Sequence, residues 1–346
     1  MTLRLSTSCR KWRAPQRGTP GPSGATSHHR GGLGGTILAF VSTSLAALAF
    51  AESAPRAEAA APVDAQGQAI QRMDAQRIVS IGGAVTEIVY ALGAASSVVG
   101  IDSSSVYPEA TAQLPNVGYL RTVSAEGMIA LQPSLVITTT EMGPPAALEQ
   151  LRAAGIPVLA LDAAPNVGAA RARIRGVARA LGREADGERL LSRLDQDLAT
   201  AQARVGQRRT TPRVLFLYAR GGGTLLVSGS ATAAAEMLAL AGATNAIADF
   251  QGFKPLTAEA AVAAAPEVIL IPTRGANSLG GTQAVWALPG LELTPAGRSR
   301  RLVQMDDLYL LGFGPRLGQA VADLANGLHP ELQRADATDQ EKPSVR

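Results

Sequence analysis

The sequence contains very little cysteine and histidine. Its 346 residues include one cysteine and three histidines, and aromatic residues make up 4%. Cys9, His28 and His29 all lie in the basic N-terminal segment, so the body of the chain keeps only His329. These absences exclude an intramolecular disulfide and, for the body, a cysteine nucleophile or a cysteine-based metal site. Multi-histidine metal sites and Ser-His-Asp catalysis are nearly excluded for the same reason.

The charge distribution argues against nucleic acid as a partner. The net charge is +4, but residues 1–51 hold six basic residues and no acidic residue. Without those six, the remaining 26 basic residues nearly balance the 28 acidic ones. The basic character therefore belongs to the N-terminus, and we expect no nucleic-acid binding. A hydrophobic content of 46% allows a sizeable core, in one large domain or two lobes.

The N-terminus predicts export. The basic segment leads into an apolar run, Gly34 to Ala51, which is short for a membrane span and ends in an A-x-A-like site. We predict a signal peptide, residues 1–51, cleaved near Ala51/Glu52; a membrane anchor is the alternative. Cys9 precedes the run and therefore cannot be a lipoprotein cysteine.

The body of the chain alternates predicted strands and helices. "RIVSI", "VVGID", "LVITTT" and "IPVLALD" predict strands, and the segments between them predict helices, one of them capped by Ser124. This alternation is typical of a mostly parallel sheet. "TAEAAVAAAPEVILIPT" repeats the pattern of "SAEGMIALQPSLVITTT", which indicates two lobes of similar build.

A strand-free segment of about forty residues separates the two halves. Leu190, Leu194, Leu198 and Ala201 form an apolar stripe at helical spacing, which predicts a long helix joining the lobes. The predicted fold class is α/β. The predicted parts after the signal peptide are a flexible leader (52–74), an N-terminal α/β lobe (75–165), a helical linker (166–210), a C-terminal α/β lobe (211–332) and a disordered tail (333–346).

Two glycine clusters follow the first strands of the two halves. They are Gly82-Gly83 and Gly221-Gly222-Gly223, and either would let the backbone approach a ligand. Neither forms a G-x-G-x-x-G fingerprint, so nucleotide binding has little support. Turn formation alone is the favoured interpretation.

Tyr119 is a candidate iron ligand. In "LPNVGYLRTVSAEG" it follows a turn and precedes Arg121 by two residues, so an extended backbone would place both side chains on one face. A phenolate is a hard donor suited to ferric iron, tyrosine occurs as an axial haem ligand, and a nearby guanidinium stabilises the phenolate. A loop tyrosine with its hydroxyl in water is the alternative. Tyr107 and Tyr218 are the other candidate tyrosines.

Several segments carry a family resemblance. "RIVSIGGAVTEIVYALG", "VGYLRTVSAEG", "TEMGPP", "GFKPLT" and "LGFGPR" are similar to segments of the haem-binding proteins of bacterial haem-uptake ABC transporters, which are class III periplasmic binding proteins. The resemblance covers roughly 77–329. It implies two Rossmann-like lobes joined by a long helix. It also implies a periplasmic, non-enzymatic, monomeric protein that carries haem b between its lobes and passes it to a permease and its ATPase.

The resemblance also implies roles for individual residues. Tyr119 would ligate the haem iron, and Arg121 and Arg274 would bond the phenolate or the haem edge. Glu87 and Glu236 would dock the two lobes to the permease, with solvated helix charges as the alternative.

Two further residues are candidates for the pocket wall. Met142 would line the porphyrin face because methionine adapts to flat ligands, although lobe packing explains it equally well. Tyr218, at the end of a strand, would form part of the wall, with a core position as the alternative.

Other functions fit the sequence less well. A ferric siderophore or vitamin B12 binder of the same superfamily is the alternative within this class. A manganese or zinc binder needs more histidines than His329 supplies. An exported enzyme would rely on acids such as Glu126 and Glu141, for which no paired-carboxylate spacing exists.

Overall fold

The computed structural model describes residues 63–219 and 225–332. The strands are β1 (Ile78–Ser80), β2 (Val98–Ile101), β3 (Gly118–Tyr119), β4 (Thr122–Val123), β5 (Leu135–Thr139), β6 (Val158–Leu161), β7 (Arg213–Ala219), β8 (Leu225–Ser228), β9 (Thr244–Asn245), β10 (Phe253–Pro255), β11 (Val268–Pro272) and β12 (Leu302–Met305). The predicted signal peptide, the start of the leader, the second glycine cluster and the predicted tail lie outside the described residues.

The helices alternate with the strands along most of the chain. They are α1 (Gly83–Ala91), α2 (Ala125–Ala130), α3 (Pro145–Ala153), α4 (Val167–Ala180), α5 (Glu184–Val205), α6 (Ala233–Leu240), α7 (Ala258–Ala264), α8 (Thr273–Ser278), α9 (Thr282–Val285), α10 (Pro295–Ser299), α11 (Asp307–Leu311) and α12 (Leu317–Leu328). Among the described residues, none of these helices has the length and apolarity to cross a membrane.

Each lobe is built on its own sheet. The first lobe has a parallel sheet in the order β2-β1-β5-β6, with β3 and β4 forming a separate two-stranded hairpin. The second lobe has the order β10-β8-β7-β11-β12, with β9 beside β7. Strand β8 pairs antiparallel with both β7 and β10, and the other pairs are parallel. The predicted α/β class with two mostly parallel sheets is confirmed.

Alternate strand residues face different hydrophobic clusters. In β7, Val214 and Phe216 belong to the largest cluster, whereas Leu215 and Leu217 belong to a smaller one on the other face of the sheet. The first-lobe sheet divides in the same way: Ile78 lies in the largest cluster and its neighbour on β1 in a third. Since strand side chains alternate between faces, each sheet contributes one face to a core that both lobes share.

The long helix α5 passes through this shared core. Its buried residues are Gly187, Leu191, Leu194, Leu198, Ala201 and Val205, and it packs against α4 and α12. The predicted apolar stripe is therefore present, with Leu191 fully buried and Leu190 partly buried beside it. The predicted linker contains two helices, because the chain turns at Gly182 with a positive φ of 64°.

The lobes meet directly at the start of α1. A Cβ placed on Gly83 would lie 2.5 Å from Leu308 of the second lobe and 2.6 Å from the Ser104 carbonyl, so only glycine fits there. One turn further on, Glu87 pairs with Arg316, and the buried Arg173 of α4 donates to the Phe313 carbonyl at 3.0 Å. The turn at 312–316 is thus bonded to the first lobe and to the linker.

The predicted flexible leader, 52–74, needs correction from Val63 onward. Ile70 is only 5% exposed and belongs to the shared core. The N–H of Ala65 donates to the Ala160 carbonyl at 2.9 Å, and that of Met73 donates to Ala180 at 2.8 Å. Residues 63–74 are therefore docked on the first lobe. The sequence could not predict this docking, because one buried isoleucine and two backbone hydrogen bonds produce no periodic pattern in an alanine-rich segment.

Candidate ligand site

Polar and apolar side chains gather where parallel strands end in each lobe. Glu141 and Met142 follow β5, Arg274 follows β11, and Asp307 follows β12. Ligands of open α/β sheets bind outside the carboxyl ends of the strands. Contact between Gly83, after β1, and Leu308, after β12, brings these edges of the two lobes together. The candidate site is therefore the space between the lobes at these strand ends.

A short hairpin places Tyr119 at this edge. Gly118 has a φ of 106°, and a Cβ there would lie 2.9 Å from the Thr122 carbonyl, so glycine is required to close the β3–β4 turn. The Asn116 side chain accepts the Gly118 N–H at 2.9 Å and stabilises the same turn. Leu120, 8% exposed, anchors the hairpin in the first-lobe core.

Tyr119 and Arg121 form the predicted pair. The Arg121 guanidinium donates to the Tyr119 hydroxyl at 3.2 Å and to the Glu141 carboxylate at 2.5 Å. Burial lowers the pKa of Arg121, but the charges of Glu141 and Tyr119 and their hydrogen bonds outweigh it, so the pKa stands above its ordinary value. The guanidinium is therefore fully charged and is directed at the phenol oxygen.

The Tyr119 ring and the neighbouring Met142 thioether are half-buried. Tyr119 and Met142 both pack against the first-lobe core while keeping part of their surface exposed at the edge. Packing of Met142 is thus observed, as the alternative interpretation expected, and its exposed part still borders the site. The arrangement presents a phenol oxygen beside a soft apolar surface.

The second lobe contributes an aromatic group. Tyr218 is half-buried, stacked on Phe216 at 6.3 Å between ring centroids and tilted against Phe253 at 5.7 Å. Phe253 is 44% exposed. The segment "GFKPLT" belongs to the family resemblance, but nothing in its sequence singles out Phe253. Its exposure in the structure, in a chain with few aromatics, is what identifies it.

Arg274 and Asp307 lie together in the second lobe. Arg274 is exposed at the start of α8, and its backbone N–H donates to the Asp307 carboxylate at 3.1 Å. Burial raises the pKa of Asp307, against the opposing effects of the Arg274 N–H and charge. Arg274 thus supplies an exposed cation, whereas its predicted bond to Tyr119 stays a prediction.

The docking prediction for Glu87 is wrong. Glu87 is 5% exposed and accepts two hydrogen bonds from Arg316, at 2.7 and 3.0 Å. The Arg316 guanidinium lies over the Tyr107 ring at 3.7 Å and over the Tyr309 ring at 4.8 Å. The acidic residue of α1 therefore faces the second lobe, not outward. Helix periodicity placed Glu87 on a helix but could not reveal a partner 229 residues away.

The structure also places the other residues that the sequence singled out. Glu236 is half-buried in the first turn of α6. Gly82 has a φ of 102° and donates its N–H to Asp102, so it serves the turn before α1, as the favoured interpretation expected. Tyr107 is 42% exposed and is engaged with Arg316.

The fold and the candidate site define a class of protein: two α/β lobes joined by a long helix, with the carboxyl ends of their parallel strands facing a common space. The chain matches the "Periplasmic binding protein" family model over residues 78–309, more than half of its length. It belongs to that family, whose members work outside the cytoplasm.

Two solved structures are closely similar to the chain. The periplasmic heme-binding protein RhuT from Roseiflexus sp. RS-1, in apo form, is 46% identical with a TM-score of 0.72, covering 75% of this chain and 99% of that one. The periplasmic heme-binding protein BhuT, in complex with two hemes, is 45% identical with a TM-score of 0.71, covering 74% and 98%. Both support the fold described above.

Curated relatives are more distant. An uncharacterised ABC transporter substrate-binding lipoprotein of Bacillus subtilis, YvrC, is 29% identical over 78% of this chain and 85% of its own length. The vitamin B12-binding protein of Pectobacterium atrosepticum is 27% identical over 76% of this chain and 91% of its own. Both matches cover at least three quarters of this chain and most of the relative's own length.

Proposed function

We propose that the protein binds haem between its lobes, with Tyr119 as the ligand of ferric iron, and delivers it to an ABC permease. The observation that carries the proposal is the Arg121 guanidinium, 3.2 Å from the Tyr119 hydroxyl at the strand-end edge. A guanidinium in this place would offset the charge of an iron-bound phenolate. The similarity at 45% or more to two heme-binding proteins supports the same ligand.

The surrounding residues suit a flat, amphipathic ligand. Met142 and the Tyr218–Phe253 pair offer apolar surface for the macrocycle, one from each lobe. The exposed Arg274 guanidinium suits a propionate, since arginine binds carboxylates in a bidentate manner. Haem b meets all three requirements: an iron that accepts phenolate, an apolar face and anionic edges.

A haemin titration tests the proposal. We expect the wild-type protein to give a Soret change and a ferric–phenolate charge-transfer band. Tyr119→Phe removes only the phenol oxygen and should abolish that band. Tyr90→Phe is the matched control, because Tyr90 lies on α1, packed against the shared core. An unchanged band in Tyr119→Phe would reject the ligand assignment. The end-point gives the stoichiometry, which matters because BhuT was solved with two hemes.

A corrinoid or ferric siderophore is the second candidate cargo. The vitamin B12-binding relative supports it through fold, at lower identity than the heme-binding structures. A competition assay separates the two: cyanocobalamin or a ferric siderophore should fail to displace haemin at equimolar concentration. Tight cobalamin binding without a haemin Soret change would establish the alternative.

Docking to the permease requires exposed acids. The segment that is repeated in the two lobes supplies one acid in each lobe, at equivalent positions. Ser124 and Thr257 cap α2 and α7 through their hydroxyls, and Glu126 and Glu259 occupy the second position of these helices, exposed to solvent. Each acid is followed one turn later by an exposed aliphatic residue, Ile129 at 36% or Val262 at 42%. We propose these matching patches, one on each lobe, as the permease contacts.

Reconstituted transport tests the docking proposal. Glu126→Ala and Glu259→Ala should leave haemin binding unchanged and lower cargo-dependent ATPase stimulation, most strongly when combined. Glu236→Ala tests the earlier prediction for the second lobe in the same assay. Full stimulation by the Glu126/Glu259 double variant would exclude these patches.

The predicted periplasmic location and signal cleavage are part of the proposal. Mass spectrometry of the exported protein should find an N-terminus near Glu52. Retention of residues 1–51 in the membrane fraction would instead support the anchor.

A further inference from the structure

Glu141 lies at the candidate site but has no role in the function proposed so far. Its carboxylate accepts from one terminal nitrogen of Arg121 at 2.5 Å, and the other terminal nitrogen donates to the Tyr119 hydroxyl at 3.2 Å. Arg121 is thus shared between an acid and the phenol. An ordinary exposed ion pair contributes little to stability, so the role of this pair depends on whether the surrounding backbone fixes its geometry.

Backbone hydrogen bonds fix Glu141 relative to the hairpin. The Gly143 N–H donates to the Leu120 carbonyl at 3.0 Å, and the Val123 N–H donates to the Gly143 carbonyl at 2.9 Å. A Cβ on Gly143 would lie 2.9 Å from the Arg121 carbonyl, so the two segments are in close contact. The chain after β5 and the β3–β4 hairpin therefore form one rigid unit, and Glu141 holds a defined place opposite Arg121.

A second arginine is within electrostatic range of Glu141. Arg173 is 3% exposed; burial lowers the pKa of its guanidinium, and Asp162 and Glu141 oppose that effect. The Arg173 guanidinium donates to the Asp162, Ala164 and Phe313 carbonyls, so backbone oxygens hold it in place. Glu141 thus lies near one exposed cation, Arg121, and one buried cation, Arg173. Of these two arginines, Glu141 bonds Arg121, which also donates to the Tyr119 hydroxyl.

We propose that Glu141 is a positioning residue for the Tyr119 ligand: it holds Arg121 on the phenol oxygen and offsets its charge, and so tunes the tyrosinate–iron bond. This inference rests on the proposed function. Once an apolar macrocycle covers the pair, water is excluded and the Arg121–Glu141 and Arg121–Tyr119 interactions strengthen. Partners that orient a metal ligand typically change metal affinity by roughly 10–100-fold.

Two substitutions of Glu141 separate its effect on the position of Arg121 from the effect of its negative charge. Glu141→Gln keeps an acceptor for Arg121 and removes the negative charge. The uncompensated guanidinium should then stabilise the phenolate's charge, weaken its donation to iron and shift the midpoint potential of bound haem to more positive values. Glu141→Ala removes the acceptor as well, so Arg121 loses its fixed position and haemin affinity should fall about tenfold.

A double-mutant cycle with Arg121→Ala tests the route of the effect. If Glu141 acts through Arg121, then Glu141→Ala should change neither affinity nor midpoint potential in the Arg121→Ala background. Equal effects in both backgrounds would mean that Glu141 acts directly on the cargo or on the fold, which overturns the proposal. Wild-type affinity and potential in both Glu141 variants would overturn it too.

The controls keep the two proposals distinguishable. Glu149→Gln, on the exposed side of α3, should match the wild-type protein in affinity and potential. Tyr119→Phe reports on the iron ligand alone. If Tyr119→Phe abolishes the ferric–phenolate band and the Glu141 variants are silent, only the positioning role fails. If Tyr119→Phe keeps the band, the proposed function itself fails.

Discussion

The residues on either side of Tyr119 set its position at the candidate site. Gly118 closes the hairpin, Leu120 anchors it, and Arg121, two residues after Tyr119, donates to the phenol oxygen. The sequence predicts this part of the site well, because a Pro-Asn-Val-Gly turn and Tyr-x-Arg spacing are local features. Glu141 could not be predicted as the third member, since it is 20 residues away and joins through tertiary backbone bonds.

Asp307 offers a pH-dependent test at the residue scale. Burial raises its carboxyl pKa, so the folded protein holds this proton more tightly than the unfolded chain does. The cost to stability is absent below the unfolded-state pKa and complete above the folded-state pKa. Asp307→Asn keeps an acceptor for the Arg274 N–H and should raise Tm at neutral pH by on the order of 2 °C.

The size of that gain should itself depend on pH. It should shrink as the pH falls through the folded-state pKa of Asp307, which calorimetry across a pH series would measure. The exposed Asp249 provides the control through Asp249→Asn. A constant gain at all pH values would show that the carboxyl charge is not the cause.

At the scale of elements, the turn between α11 and α12 joins the two lobes. Phe313 adopts a φ of 50°, which is unfavourable for a bulky residue, and its carbonyl is held by Arg173. Arg316 follows, with its side chain 24% exposed and bonded to Glu87. The motif "LGFGPR" therefore serves as an interlobe contact in this structure, a role that its similarity to haem-binding proteins did not specify.

Breaking this contact from one side should be costly. Arg316→Met leaves the Glu87 carboxylate buried without its cation and should destabilise the protein by about 3 kcal/mol. Replacing both residues, Glu87→Leu with Arg316→Met, should recover part of the loss because no buried charge is left. Urea unfolding of the three proteins measures both effects. An unchanged midpoint in Arg316→Met would contradict this account of the pair.

Elements were predictable where local signals were strong. The Ser124 cap and the apolar stripe of α5 both appear in the structure. The docked segment 63–74 and the inward-facing Glu87 were mispredicted. In both cases the deciding partners, Ala160 and Arg316, lie far along the chain, where spacing rules carry no information.

At the scale of the whole molecule, one core serves both lobes. Side chains from β1, β5, β7 and β11 meet α4, α5 and α12 in a single hydrophobic cluster. We therefore expect residues 63–332 to unfold as one unit instead of lobe by lobe. Circular dichroism and Trp286 fluorescence should give coincident denaturation curves, since Trp286 reports on the second lobe. Separate transitions would mean that the lobes are independent.

The Glu87–Arg316 pair also constrains how the chain can assemble over time. Its two members are 229 residues apart, and α12, which covers α5, follows Arg316 directly. During synthesis the first lobe is made long before the helix that completes its core. Contacts of such large sequence separation slow folding, because a long loop must close before they form. The chain can therefore reach its native state only after nearly all of it is available, a delay that favours export in an unfolded form.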